Sequence, residues 1–145
     1  MELSIVISTY NNATSLVRTI ESVAKQDADK SLWECVVVNN ASTDDTDSRV
    51  QALIQKYDNI NLRLVSESQQ GLSFARNRGI AEAEGDFIAF IDDDETINSG
   101  FVSAYIDMFL NHGAFAAAGA VKVCYDNGRP KWMSKYPEKM IANPL

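Results

Sequence analysis

Short apolar runs alternate along the chain with segments whose apolar residues recur every three or four positions. That alternation restricts the fold more than any other feature. Residues 3–7, 33–38 and 87–91 are mostly apolar and rich in β-branched or aromatic side chains, as buried strands must be. Ile60, Leu62 and Leu64 alternate with Asn61 and Arg63, the period-two pattern of a half-exposed strand. Between these runs, Leu16, Val17, Ile20, Val23 and Ala24 fall at helical spacing, as do Val50, Leu53, Ile54 and Tyr57. A helix is predicted over residues 73–83. Another is predicted around Phe101, Val102, Tyr105, Ile106, Phe109 and Leu110, with Asn111 and Gly113 marking its end. Asn11, Asn12 and the residues at 42–45 offer N-caps. A fifth strand is expected within residues 115–125. Strand and helix in regular alternation predict a three-layer α/β/α domain around a mainly parallel sheet.

The chain has 145 residues, 46% of them hydrophobic, enough for one core. Residues 1–125 carry the pattern. Residues 126–145 hold all three prolines and no period, and read as an extended tail. The formal net charge of −7 repels phosphate backbones and anionic lipid, so nucleic acid is not an expected partner. No run approaches the roughly 20 apolar residues of a membrane span. The N-terminus lacks the basic region of a signal peptide. Cys35 and Cys124 sit in apolar runs and read as reduced core residues. The expected location is the cytoplasm, or the inner membrane face as a peripheral protein.

Three predicted strands end in polar clusters: Ser8, Thr9, Tyr10 and Asn11; Asn39 and Asn40, followed by residues 42–44; and Asp92, Asp93, Asp94 and Glu95. In a parallel sheet these clusters share the carboxyl edge, where open α/β sheets bind ligands. Residues 3–7 and 87–91 are the expected sheet centre. If those strands are neighbours, the first and last clusters meet in one crevice.

The acidic cluster carries the most chemistry. Carboxylates crowded at a strand end repel one another, and a bound divalent cation removes that cost. Oxygen-only ligands favour Mn²⁺ or Mg²⁺, and such an ion can stabilise a departing diphosphate. The alternative is a solvated acidic turn that caps the next helix. The Asn39 and Asn40 amides can read a base or a ribose. Ser8 or Thr9 can hydrogen-bond a base. Tyr10 can stack on a base or pack into the core, and the residues leave both open. Arg76 can grip a pyrophosphate bidentately, whereas Arg78 reads as a surface ion pair. His112 belongs at a helix C-terminus and is given no chemistry. Trp132 and Tyr136 are expected to anchor the tail by packing.

Together these residues resemble the inverting glycosyltransferases of family 2, which have the Rossmann-like GT-A fold. SIVISTYNN at residues 4–12 is similar to that family's opening strand. VVVNNASTD at 36–44 is similar to its second-strand motif, GLSFARNRGI at 71–80 to its third, and FIDDDE at 90–95 to its Asp-x-Asp metal motif. The resemblance implies a nucleoside-diphosphate sugar, most naturally a uridine diphosphate sugar, as donor. It implies a saccharide or lipid-linked acceptor. Ser8, Tyr10 and Asn39 would contact the base, with Thr9, Asn40 and Asp93 nearby. Arg76 and Asn77 would lie near the pyrophosphate or donor sugar. Asp92 would approach ribose and metal, and Asp94 would be the main metal ligand.

Two positions depart from the family pattern: Ser8 stands where a proline is usual, and Asn39 where an aspartate is usual. A catalytic Asp or Glu base would lie further along, with the acceptor-binding region. Nothing after Val123 resembles that region, so the chain is expected to be cut short, to bind donor without transferring it, and to self-associate through an uncovered apolar face. The rival reading is a non-catalytic nucleotide-binding or interaction module of the same fold. The glycine-rich loops of nucleotidyltransferases, dinucleotide-binding enzymes and P-loop proteins are absent after the first strand.

Overall fold

The computed structural model describes residues 1–125 and 128–132. Strand and helix alternate as β1 (Leu3–Thr9), α1 (Ala13–Ala24), β2 (Trp33–Asn39), α2 (Thr46–Lys56), β3 (Asn61–Ser66), α3 (Leu72–Glu82), β4 (Phe87–Asp92) and α4 (Phe101–His112). Among the described residues the strands form one sheet in the order β3-β2-β1-β4, and every pairing is parallel. Strands β1 and β4 are neighbours, as the crevice requires. The central pair is nevertheless β1 and β2, with β4 at the sheet edge. The correction has a visible cause. Apolar content alone placed β4 at the centre, yet Phe90 is 44% exposed, on the face where α3 packs over β1 and β2.

Helices lie on both faces. On one side Leu3, Ile5 and Ile7 pack with Leu16, Ile20 and Val23 of α1, Val50 and Leu53 of α2, and Val102 of α4. The alternate residues Val6, Val36 and Val38 meet Ala75 of α3 on the other side. Helix α3 lies so close that a Cβ on Gly79 would sit 2.3 Å from Val6 Cγ1. Its sheet-facing positions must therefore be small. The other end of that face is polar. Glu34 is fully buried, and it accepts from Ser4 Oγ at 2.6 Å, Glu84 N at 2.7 Å and Arg63 Nη2 at 2.7 Å. Arg63 Nη2 also donates to the Glu82 carbonyl at 2.6 Å, tying the last turn of α3 to β3.

Gly113 takes the left-handed conformation that ends α4 (φ 63), as the sequence predicts. The start of α4 has a cap that the sequence pattern does not reveal: buried Gln26 accepts from Val102 N at 3.0 Å and donates to the Asn98 carbonyl at 2.7 Å.

The first compact unit is Met1–Gly113, and the second begins at Ala114. The expected fifth strand is not formed: residues 114–125 carry neither helix nor strand. Cys35 is buried as expected, but Cys124 is exposed, and both are free thiols. Trp132, expected to pack, is 79% exposed. Tyr136 lies outside the described residues. No described helix is long and apolar enough to cross a membrane.

Candidate functional site

Parallel pairing brings the three polar strand ends together. Ser8 stands opposite Asp92, and Thr9 opposite Asn39. Most polar residues that converge here hydrogen-bond one another across loops, and that sorts them into two groups.

The first group knits the loops. Asn11 adopts the left-handed backbone (φ 49) that asparagine tolerates better than most residues. Its side-chain oxygen accepts from Thr43 N at 2.7 Å and Asp44 N at 3.3 Å, and its own N–H donates to Ser42 Oγ at 3.0 Å. Asp44 returns the clasp by accepting from Ala13 N at 3.3 Å. The Thr46 hydroxyl, with the N–H groups of Ala13 and Thr46, holds the Asp44 carboxyl below the ordinary aspartate range. Asn12 makes no side-chain cap for α1; its amide goes to Asp93 instead.

Asn40 joins the second loop to the third. It donates to the carbonyls of Glu67 and Gln69 at 3.2 and 2.8 Å and accepts from Gly71 N at 2.7 Å. It is almost fully buried, and no side-chain N–H is left to read a base. Asn39 is held between Asp47 Oδ1, to which it donates at 2.7 Å, and Ser42 N, from which it accepts at 3.0 Å. Its carbonyl keeps one lone pair for a further donor. Thr9 is buried and donates to Asp93 Oδ2 at 2.6 Å.

The second group is left facing outward. Tyr10 is 48% exposed rather than in the core. Asn77, Asp92 and Asp94 are exposed. The Ser8 hydroxyl is buried with no partner among the described residues, an orphan beside Asp92. Arg76 reaches from α3 to Asp92 Oδ1 at 3.3 Å, its guanidinium 5.4 Å from the centre of the Phe90 ring. Arg78 pairs with Glu82 on its own helix, as expected, and His112 with Asp107.

Asp92–Glu95 closes a turn: Glu95 N donates to the Asp92 carbonyl at 3.1 Å, and the Glu95 carboxylate accepts from Asp92 N at 3.3 Å. Among the described residues no three acidic, His or Cys side chains converge into a ready-made metal cage. Asp92 and Asp94 offer a two-carboxylate, all-oxygen set, a chemistry suited to Mn²⁺ or Mg²⁺ when a diphosphate supplies further oxygens.

Sequence reasoning missed the clasp role of Asn11 and the partnership of Asn39 with Asp47. The signal for Asn11 was present, because asparagine is enriched at isolated left-handed positions in loops. Nothing local announces Asp47, eight residues downstream on α2.

The family model described as Glycosyl transferase family 2 matches residues 4–144. Glycosyltransferase AglE of Haloferax volcanii is 31% identical over 87% of this chain and 41% of its own length. Poly(ribitol-phosphate) beta-N-acetylglucosaminyltransferase TarS of Staphylococcus aureus is 34% identical over 99% of this chain and 25% of its own length. The crystal structure of TarS residues 1–349 with UDP-GlcNAc superposes with a TM-score of 0.71 at 30% identity, covering 95% of this chain and 39% of that one. The mannosyltransferase PcManGT of Pyrobaculum calidifontis, solved with GDP-Man and Mn²⁺, gives 0.69 at 26% identity, covering 85% and 35%. The chain thus spans less than half the length of these proteins.

Proposed function

Because the chain belongs to glycosyl transferase family 2, we propose that its strand ends bind a nucleoside-diphosphate sugar and form the donor half of an inverting sugar transfer. The observation that carries this reading is the set left without a loop partner: the Ser8 hydroxyl, buried and unpartnered among the described residues, Asp92 opposite it on β4, and Arg76 paired to Asp92. An unpartnered buried hydroxyl costs free energy unless a ligand pairs with it. Arginine presents a planar fork that suits a pyrophosphate. Tyr10 supplies an exposed ring for a base. Asn39, with its amide fixed by Asp47, presents a carbonyl that can accept from a base N–H. Structures of TarS with UDP-GlcNAc and of PcManGT with GDP-Man and Mn²⁺ support a diphosphate sugar as the ligand class. The uridine form is the one we propose for this chain.

Asp92 and Asp94 would hold the Mn²⁺ or Mg²⁺, which when bound offsets the charge of the departing diphosphate. In the transfer itself an acceptor hydroxyl oxygen bonds the anomeric carbon. The bond from that carbon to the diphosphate oxygen breaks on the opposite side. The hydroxyl proton passes to a base, a role we assign to none of the described rim carboxylates, because Asp92 and Asp94 are given to the metal and Asp93 is held by Thr9 and Asn12. A general base contributes about 10²–10⁴-fold, and aligning both reactants contributes more. We infer that this chain alone binds donor and transfers no sugar. The test is calorimetry of uridine diphosphate with Mn²⁺ and with EDTA, on the wild type and Asp94→Ala, alongside incubation with labelled donor and acceptors. Binding that needs metal and Asp94, without transfer, is expected. Equal affinity in EDTA sinks the metal reading, and Asp94-dependent transfer sinks the fragment reading.

A further inference from the structure

The residue between the two proposed metal ligands faces the other way. Asp93 Oδ2 accepts from Thr9 Oγ1 at 2.6 Å, at the end of β1. Its Oδ1 accepts from Asn12 Nδ2 at 2.8 Å, in the loop that follows β1. Its backbone carbonyl accepts from Thr19 Oγ1 at 2.9 Å, on α1. Strand, loop and helix of the first β–α unit therefore converge on one residue of the acidic turn. Its neighbours Asp92 and Asp94 are exposed, whereas Asp93 is half-buried and these three donors to it are neutral.

From this we infer that Asp93 is a positioning residue: it fixes Asp92 and Asp94 against the first loop and sets the affinity for metal and diphosphate without touching either. The inference rests on the donor-site reading above. The chemistry of its partners makes it separable from a ligand role. The Thr9 hydroxyl can reverse and accept, whereas the Asn12 amide nitrogen can only donate. An asparagine at 93 can thus keep both contacts, its carbonyl facing Asn12 and its amide facing Thr9. It keeps the pin and removes the charge. A metal ligand tolerates no such exchange, because an amide oxygen binds Mn²⁺ far less well than a carboxylate. Removing a hydrogen bond that orients a ligand typically costs about 10–100-fold in metal affinity.

The experiment titrates Mn²⁺ into the full 145-residue chain, with and without uridine diphosphate, by calorimetry. Asp93→Asn, Asp93→Ala, Asn12→Ala and Asp94→Asn are compared with wild type, and circular dichroism confirms that each is folded. The expected order is Asp93→Asn within about threefold of wild type, Asp93→Ala and Asn12→Ala weaker by about tenfold, and Asp94→Asn weakest. Asp93→Ala and Asn12→Ala should not add when combined. If Asp93→Ala fails to fold, Asn12→Ala and Asp93→Asn still decide. Asp93→Asn as damaging as Asp94→Asn makes Asp93 a ligand and overturns the inference alone. Asn12→Ala indistinguishable from wild type also overturns it. A wild type that binds neither Mn²⁺ nor the diphosphate overturns the donor-site reading, and this inference with it.

Discussion

Replacing Arg63 by methionine tests what holds α3, and with it Arg76, against the sheet. The methionine keeps much of the stem and removes the charge. Glu34 is left with no exposed surface and no cation, though the Ser4 hydroxyl and the Glu84 N–H still donate to Oε1. Breaking a buried pair from one side costs about 3–5 kcal/mol. The two surviving donors, and an Arg63 side chain that is 29% exposed, place this case near the lower end, at about 3 kcal/mol. For a domain of this size that lowers Tm by about 6–12 °C.

The loss should depend on pH in a definite direction. Burial pushes the Glu34 carboxyl upward, but the Ser4 hydroxyl, the Glu84 N–H and Arg63 together pull it below the ordinary glutamate range. In the wild type this group stabilises the fold above the unfolded value of about 4.3, and the stabilisation fades as pH falls through the lowered folded value. Without Arg63 the upward push of burial gains ground, so a proton neutralises Glu34 at higher pH. The difference between the two proteins is therefore largest near neutrality and shrinks toward acid. Urea denaturation at several pH values measures it. Adding Glu34→Gln to Arg63→Met should recover about 1 kcal/mol of the loss: the buried charge is gone, but the amide nitrogen that replaces Oε2 has two N–H groups short of partners, at about 1 kcal/mol each. An Arg63→Met protein within about 0.5 kcal/mol of wild type, inside the range of an ordinary surface change, would refute the argument. So would a double variant no more stable than the single one.

Two further substitutions have signs that the structure sets. Gly79→Ala should gain about 1 kcal/mol in helix propensity and lose about 1–3 kcal/mol by driving a methyl into Val6 Cγ1. The expected net is a lower urea midpoint and weaker diphosphate binding, both restored by Val6→Ala. Asn39→Asp should destabilise the chain by about 1–2 kcal/mol near pH 7, because it sets a second carboxylate where Asp47 now accepts at 2.7 Å. Adding Asp47→Asn should reverse that loss in the same denaturation assay.

The layered fold was legible because hydrophobic period is a local property. Leu16, Ile20 and Val23 declare a helix face, and Ile5, Val6 and Ile7 declare a strand buried on both sides, without reference to any distant residue. Strand order was less legible. Ile88 and Phe90 look like core residues in sequence, and only the placement of α3 over β1 and β2 leaves Phe90 uncovered. The expected fifth strand rested on residues 115–125, where alanine and glycine outnumber β-branched residues, and such a run specifies a strand weakly. Within the site, the position of the clusters was readable from the strand ends, but the division of labour inside them was not. Asn39, Asn40 and Asn11 are the same residue type, and so are Asp92, Asp93 and Asp94. Past the last strand residue the period of two no longer dictates direction, and each side chain follows whichever partner a neighbouring loop presents.

That division has a physical consequence for binding. Loops at a strand edge are the segments most able to fray, and any ligand that orders them pays their conformational entropy. Here Asn11, Asn40 and Asp93 join the first loop to the second, the second to the third and the fourth to the first before any ligand arrives. The pair that remains on the rim, Arg76 with Asp92, is of the opposite kind. Both side chains are substantially exposed, 41% and 62%, and a contact like that is worth about 0–1 kcal/mol. In the proposed reading the two partners want different things from a bound donor: Asp92 a cation and Arg76 an anion. A metal–diphosphate unit brings both at once, so each side chain exchanges a weak, hydrated partner for a stronger one while the knitted loops stay in place. Binding is then favoured because the scaffold is rigid where order would be costly, and loosely paired where exchange must be easy.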